Sequence, residues 1–324
     1  MTRTARTAAV AAACLTFIAL AAPGAARAQT VDYRVSAGYS TGSYIFSGTA
    51  WSAVMFHGLD VQAGRFRFSA SVPIVAQNNT ALTYIGGVIV PTGGPDDAAV
   101  AARRKGQPVD MGAGMGQYGQ GATKGQGGPS GQGGQRGGVG ALAAAAATDT
   151  FTVTQPGNTQ VNVGDPVFTG DVALYRGDGL VRNMSVHAFA KAPVASVASG
   201  VSTGKWDYGG GASVSLGSAR TFFFADASYW VLGDMPALEL MDNVTYGLGL
   251  GQSLGEGRWS VLASASGSSQ VIRNVDPPVS AGVSLGYRHS TAQSLTAGVN
   301  FGLTESAPKV SATIGWRILL LGTP

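Results

Sequence analysis

From about residue 30 onward, the chain is mostly written in segments of roughly ten residues in which apolar and polar positions alternate, with turn residues between them. Tyr33, Val35, Ala37 and Tyr39 share one face against Arg34, Ser36 and Gly38. Trp51, Ala53, Met55, Leu59 and Val61 share another, with His57 as the polar exception and Gly58 and Asp60 opposite. After Ala63-Gly64-Arg65, Phe66, Phe68, Ala70 and Val72 alternate with Arg67, Ser69 and Ser71. The pattern stops for about ninety residues, then resumes with Phe168, Val172 and Leu174 against Thr169, Asp171 and Ala173. Further segments follow around Met184–Lys191, Trp206–Leu216, Phe223–Tyr229, Val244–Gly251, Trp259–Ala265, Val279–Arg288, Leu295–Leu303 and Lys309–Ile318.

Period two over some ten residues is the signature of a strand with two unlike faces. About twelve such strands are predicted, an even number, as bacterial single-chain barrels have. The links near 62–65, 176–179, 217–220, 255–258 and 289–293 are short, and those near 41–49, 76–166, 193–203, 231–241, 266–277 and 304–308 are mostly longer. Short turns on one side and long loops on the other are the pattern of periplasmic turns and extracellular loops, with both termini in the periplasm. The fold class expected is all-β, an antiparallel transmembrane β-barrel of about 12 strands with one long Gly-rich extracellular loop insertion.

Charge and hydropathy exclude the other membrane solution. Only 12% of residues are charged, against about 25% in soluble domains. Yet past the N-terminal thirty residues no apolar run approaches the 18 residues or so that a membrane-spanning helix needs. In lipid the backbone must satisfy its own hydrogen bonds, and a closed barrel does so without a long apolar run.

The N-terminus sets the expected compartment. Arg3 and Arg6 precede a small and apolar stretch over 7–22, Pro23-Gly24 breaks it, and Ala26-Arg27-Ala28 has the small-x-small form of a cleavage site. Residues 1–28 are therefore expected to be a signal peptide, cleaved after Ala28 on export through the Sec pathway, with 29–324 the barrel of a bacterial outer membrane. The single cysteine, Cys14, lies in the leader, so the mature chain has no disulfide and no thiol chemistry. The formal charge of +4 falls to +1 (18 basic, 17 acidic) once Arg3, Arg6 and Arg27 are removed. A nucleic-acid partner is thus not expected. Within 77–166, residues 112–140 are mostly Gly and Gln with scattered basic residues, a composition expected to give a partly disordered outer loop. A short strand pair is expected at Thr150–Thr154 and Gln160–Val163.

Aromatic positions supply an independent test. On the lipid-facing parity, Tyr39, Trp51, Trp206 and Tyr229 fall near outer strand ends, and Tyr33, Phe66, Trp259, Tyr287 and Trp316 near inner ends. Two such rings are what the membrane interfaces select. The inward face carries Gly, Ser and Thr with Arg34, Asp60, Arg67, Asp171, Lys191, Asp207, Asp226, Arg288, Lys309 and Arg317. Such charges either fill a barrel with ion-pair ladders or line a conduit and set its selectivity. The candidates for selectivity are Arg34, Asp60, Arg67, Asp171, Asp207, Asp226, Arg288 and Arg317. Phe56, Phe222, Phe224 and Trp230 on the same parity make the interior acceptable to an apolar or aromatic solute.

Enzymatic chemistry is not expected. His57, His187 and His289 lie far apart without metal-ligand spacing, no Gly-x-Ser-x-Gly occurs, and no serine neighbours outward-facing His57 in the sequence pattern. Gly112–Gly116 and Gly247–Gly251 are not in the strand-to-helix context of a dinucleotide loop. The second glycine run reads as small lumen-facing residues that leave interior space. No metal or cofactor is expected.

With strands placed, Val35–Gly42, Gly64–Pro73, Gly170-Asp-Val172, Gly204–Tyr208 and Tyr229–Asp234 resemble the outer-membrane transporter family labelled "MetA-pathway of phenol degradation", related to fatty-acid and aromatic-hydrocarbon channels. The resemblance covers most of the chain outside 77–166. It implies a barrel channel for uptake or efflux of small hydrophobic or aromatic solutes, with outer-membrane lipid and solute as partners. Members of that family usually end on an aromatic, whereas here Trp316-Arg317 is followed by Ile-Leu-Leu-Leu-Gly-Thr-Pro. The alternative is a non-conducting structural barrel acting through its outer loops.

Overall fold

The computed structural model describes residues 29–44, 49–78, 82–85, 88–92, 159–234 and 239–322. The leader, the Gly/Gln-rich run and Thr150–Thr154 lie outside them. Twelve strands form the wall. They are β1 (Gln29–Gly42), β2 (Ala50–Ala63), β3 (Phe66–Gln77), β7 (Val167–Arg176), β8 (Val181–Lys191), β9 (Asp207–Ser218), β10 (Thr221–Val231), β11 (Asn243–Leu254), β12 (Trp259–Ser268), β13 (Val279–Arg288), β14 (Gln293–Gly302) and β15 (Val310–Leu321). Every pairing is antiparallel, and the sheet closes because β1 bonds to β2 on one side and β15 on the other, Val35 facing both His57 and Trp316. No backbone edge is left for lipid to meet, which is the condition for crossing a bilayer with strands.

Connections sort to two ends. Gly64-Arg65 and Ala219-Arg220 are two-residue turns whose first residues have φ of 59° and 49°, the left-handed start that suits the twist of a hairpin. The start of β1 and the end of β15 lie at this turn end, since Gln29 pairs with Ala63 and Val31 with Leu321. The long connections gather at the opposite, loop end. There Tyr44, Leu232, Leu240, Val271, Ile272 and Val275 pack with inward-facing Phe189 and Trp230 into a buried apolar cluster. Burial pushes the Tyr44 phenol well above its usual value, so the hydroxyl stays neutral in that cluster.

Three short strands lie within the stretch 77–166, two of them unexpected. A hairpin of β4 (Leu82–Ile85) and β5 (Val88–Pro91) joins the same cluster through Leu82, Ile85 and Val90. The Thr83 hydroxyl donates to Gly200 O at 2.8 Å and lies 2.7 Å from the Thr92 hydroxyl. The alternation test misses it because both faces of so short a hairpin are buried. The third, β6 (Gln160–Val163), is a strand as expected, and it pairs with β3, Ile74 facing Val163. A strand this short gains most by extending an existing ladder.

β6 and β7 thus share one neighbour but are separated by Gly164-Asp165-Pro166 opposite Val72-Pro73. Pro73 and Pro166 cannot donate, so the ladder between β3 and this stretch thins to one bond, from Gly164 N to Pro73 O at 2.8 Å. Asp165 ties the gap down: its carboxylate accepts from Val194 N (2.9 Å), Ala195 N (2.8 Å) and the Ser202 hydroxyl (2.5 Å), and lies 3.3 Å from Lys191 Nζ. Lys191 also meets Asp207 Oδ2 at 2.8 Å, and all three side chains are almost fully buried.

Lys191→Met should leave two buried carboxylates without their cation and destabilise the barrel by about 3–5 kcal/mol. Loss of heat-modifiable gel migration at a lower urea concentration than wild type is the expected readout. A variant as resistant as wild type would mean that the cluster carries no stability.

Candidate functional site

The candidate site is the barrel interior. Strand parity sends Arg34, Asp60, Arg67, Asp171, Asp226 and Arg317 into it, because each alternates with a lipid-facing neighbour. Arg34, Arg67, Asp171 and Asp226 line one cavity of about 770 Å³. Arg34, Asp60 and Arg317 line a second of about 550 Å³ nearer the turn end. Tyr84 on strand β4 of the hairpin contributes to both, and its ring packs edge-on against Phe56 with centroids 5.5 Å apart. The hairpin therefore divides the lumen.

Charge in the interior is arranged in pairs and exceptions. Arg34 and Arg317 face each other across the β1–β15 seam, a like-charge contact. Each is offset by an acid: Arg34 by an ion pair with Asp60, and Arg317 by Asp32 with Nε–Oδ1 at 3.7 Å. Arg67 and Asp171 are register neighbours on β3 and β7. Among the described residues Asp171 and Asp226 have no ion-pair partner. Two sequence candidates lie elsewhere. Asp207 is fully buried beneath the loops against Lys191, with Oδ1 accepting from Gly233 N at 3.0 Å. Arg288 sits exposed at the turn end, where its guanidinium approaches Gly257.

The opposite wall, β8 to β11, is built from large side chains lying over glycines. Phe189 and Trp230 stack at 3.8 Å across Gly209, where an added Cβ would stand 2.7 Å from the Phe189 ring. Two residues towards the turn end, His187 Nε2 lies 2.8 Å from the Ser228 hydroxyl across Gly211. A Cβ on Gly211 would meet that hydroxyl at 2.5 Å and the imidazole at 2.6 Å. The next rung is Ser185–Ser213, with hydroxyls 2.8 Å apart. On β11, Asp226 leans over Gly247, Phe224 over Gly249 and Phe222 over Gly251. The Gly247–Gly251 run therefore refines the expectation: Gly247 lines the cavity as a small residue, and all three glycines make room for the side chains of β10. Sequence reading missed this because the covering residue sits one strand away.

On the outer face the expected aromatic positions fall as two sets. Tyr39 stacks on Trp51 at 6.1 Å near the loop end, where exposed Trp206 and Tyr229 also lie. Trp259 and Tyr287 pack at 4.5 Å near the turn end, and Tyr33, Phe66 and Trp316 lie in the turn-end halves of β1, β3 and β15. His57 also faces outward, and its Nδ1 lies 2.7 Å from the Tyr33 hydroxyl.

No family model matches the chain, and no curated protein matches it. Solved structures do. An outer-membrane channel from Pseudomonas putida F1 superposes with a TM-score of 0.55 at 10% identity, covering 92% of this chain and 99% of that one. At that identity the likeness establishes the fold: this is a closed antiparallel barrel of the outer-membrane kind. The toluene transporter TodX of Pseudomonas putida matches at 0.34 and 10% identity, covering 92% and 90%. Outer-membrane phospholipase A from Escherichia coli matches at 0.34 and 11%, covering 90% of each chain. Scores that low carry no argument about function. The expectation that enzymatic chemistry is absent is corrected by the site itself: the lumen brings His187 Nε2 to the Ser228 hydroxyl, so the scattered histidines do not exclude an enzyme. Linear spacing hid that pair, since 41 residues separate members that lie two strands apart.

Proposed function

We propose that this chain is an outer-membrane channel that passively conducts small apolar or aromatic solutes. The observation that carries the reading is the cavity of about 770 Å³ inside the barrel, in which Phe189, Phe224 and Trp230 form one wall and Arg34, Arg67 and Asp171 another. Pockets that take small organic molecules combine apolar walls with a few placed polar groups. The resemblance to the transporter family labelled "MetA-pathway of phenol degradation" supports the same class of solute. In this reading residues 1–28 are removed after Ala28 on export through the Sec pathway, and the two aromatic sets lie at the membrane interfaces, Tyr33 excepted, because its hydroxyl turns along the wall to His57.

The β4–β5 hairpin controls passage. It is held at its base by Thr83 and Gly200 and reaches the lumen through Tyr84 and Ile89. Arg34, Asp60, Arg67, Asp171, Asp226 and Arg317 set which ions accompany or compete with the solute. A second reading has one observation in its favour: the apolar cluster of the loops and the hairpin fill the loop end of the barrel. In that reading the barrel conducts nothing and acts through its outer loops.

Planar-bilayer recording separates the two. Wild type should give small unitary currents, and removal of 82–91 should enlarge them several-fold. Absence of current in both would sink the channel reading. Asp171→Asn should shift the reversal potential under a salt gradient towards anion preference, and Arg67→Ala towards cation preference. Unchanged reversal potentials in both would remove these side chains from the conducting path.

A further inference from the structure

His57 stands out from the wall. It is an ionisable side chain on the lipid-facing parity of β2, six residues from Trp51 and six from Ala63. At ~3.3 Å per residue and a strand tilt of ~40°, that places it about 15 Å in from the Trp51 ring, near the middle of the hydrocarbon. A polar group there costs several kcal/mol unless it finds a partner.

Half of the imidazole is satisfied. A phenol donates more strongly than a neutral imidazole N–H, and an unprotonated ring nitrogen is the better acceptor. Tyr33 therefore donates to His57 Nδ1, at 2.7 Å. This assigns the proton to Nε2, which has no partner among the described residues. The ring lines a hollow of about 540 Å³ in the barrel wall, almost wholly apolar, bounded by Leu59, Phe68, Phe168 and Ala188. Thus one side of the imidazole is locked by Tyr33, and the other presents a single donor to an apolar space large enough for a chain of about ten carbons.

We propose that this hollow is a binding site for an apolar molecule dissolved in the bilayer that carries one hydrogen-bond acceptor oxygen, a ketone or ester, which accepts from His57 Nε2–H. Hydrocarbon alone would fill the hollow but leave the donor unpaired. The ester groups of membrane lipids lie at the interface, about 15 Å away in depth, and do not reach it. The site rests on the channel reading only for its purpose, as the place where a solute of this class is held on the lipid side of the wall.

The probe is undecan-6-one, whose carbonyl sits mid-chain, against undecane as the matched hydrocarbon. The protein is labelled with ¹⁵N-histidine in phosphatidylcholine nanodiscs, and the ¹⁵N shift of His57 Nε2 is followed. His57→Leu assigns the signal; if that variant does not fold, His187→Gln and His289→Gln assign it by elimination. The expected result is a saturable shift with the ketone and none with undecane at the same membrane concentration. No response to the ketone, or an equal response to undecane, overturns the proposal, the latter because hydrocarbon filling alone would explain it. His57→Leu should also withstand urea at least as well as wild type, since it removes an unpaired donor from lipid. Conductance is a separate axis: current without a ketone response sinks the site alone, and a ketone response without current sinks the channel reading alone.

Discussion

Closure of the sheet is the constraint on which everything else here depends. A bilayer core offers no water to an unpaired N–H or C=O, so the wall is viable only if its first and last strands meet. They do so along β1 and β15 over eleven register pairs from Val31–Leu321 to Thr41–Val310. That seam has a cost, because it brings Arg34 opposite Arg317. Asp60 and Asp32 offset it from neighbouring positions, so the charges nearest the seam answer first to the barrel's own electrostatics. Asp171 and Asp226, by contrast, have no ion-pair partner among the described residues.

Closure also dictates how the interior is filled. Inward side chains from neighbouring strands cannot all be large, so bulk on one strand is matched by glycine on the next. Phe222, Phe224 and Asp226 lie over Gly251, Gly249 and Gly247, and Phe189 with Trp230 closes over Gly209. The lumen is thus shaped by pairs of strands rather than by any one segment. The same device brings His187 to Ser228 over Gly211, and it removes the ground on which an enzyme was excluded. Between β6 and β7, where two prolines withdraw their donors, the wall is secured by the buried Asp165 carboxylate together with two backbone bonds, Gly164 N to Pro73 O and Ala192 N to Pro166 O.

Much of this was legible in the sequence. Period-two alternation marks the twelve wall strands and which face of each is apolar, because a strand that is lipid-facing on one side and lumen-facing on the other has no other way to be written. Turn residues and aromatic positions mark the two ends for the same reason: both respond to local geometry and to the depth of the bilayer. His57 was visible as the polar exception on its face, though not its bond to Tyr33. What only the tertiary structure decided is everything that depends on which strand lies beside which. The hairpin entering the lumen, the pairing of β6 with β3, the burial of Asp207 by Lys191 and the covering of the glycines all join residues on different strands or loops, often far apart in the chain. Alternation reports the face a residue takes, but register and closure choose its neighbours, and the chemistry of this barrel lies in those neighbours.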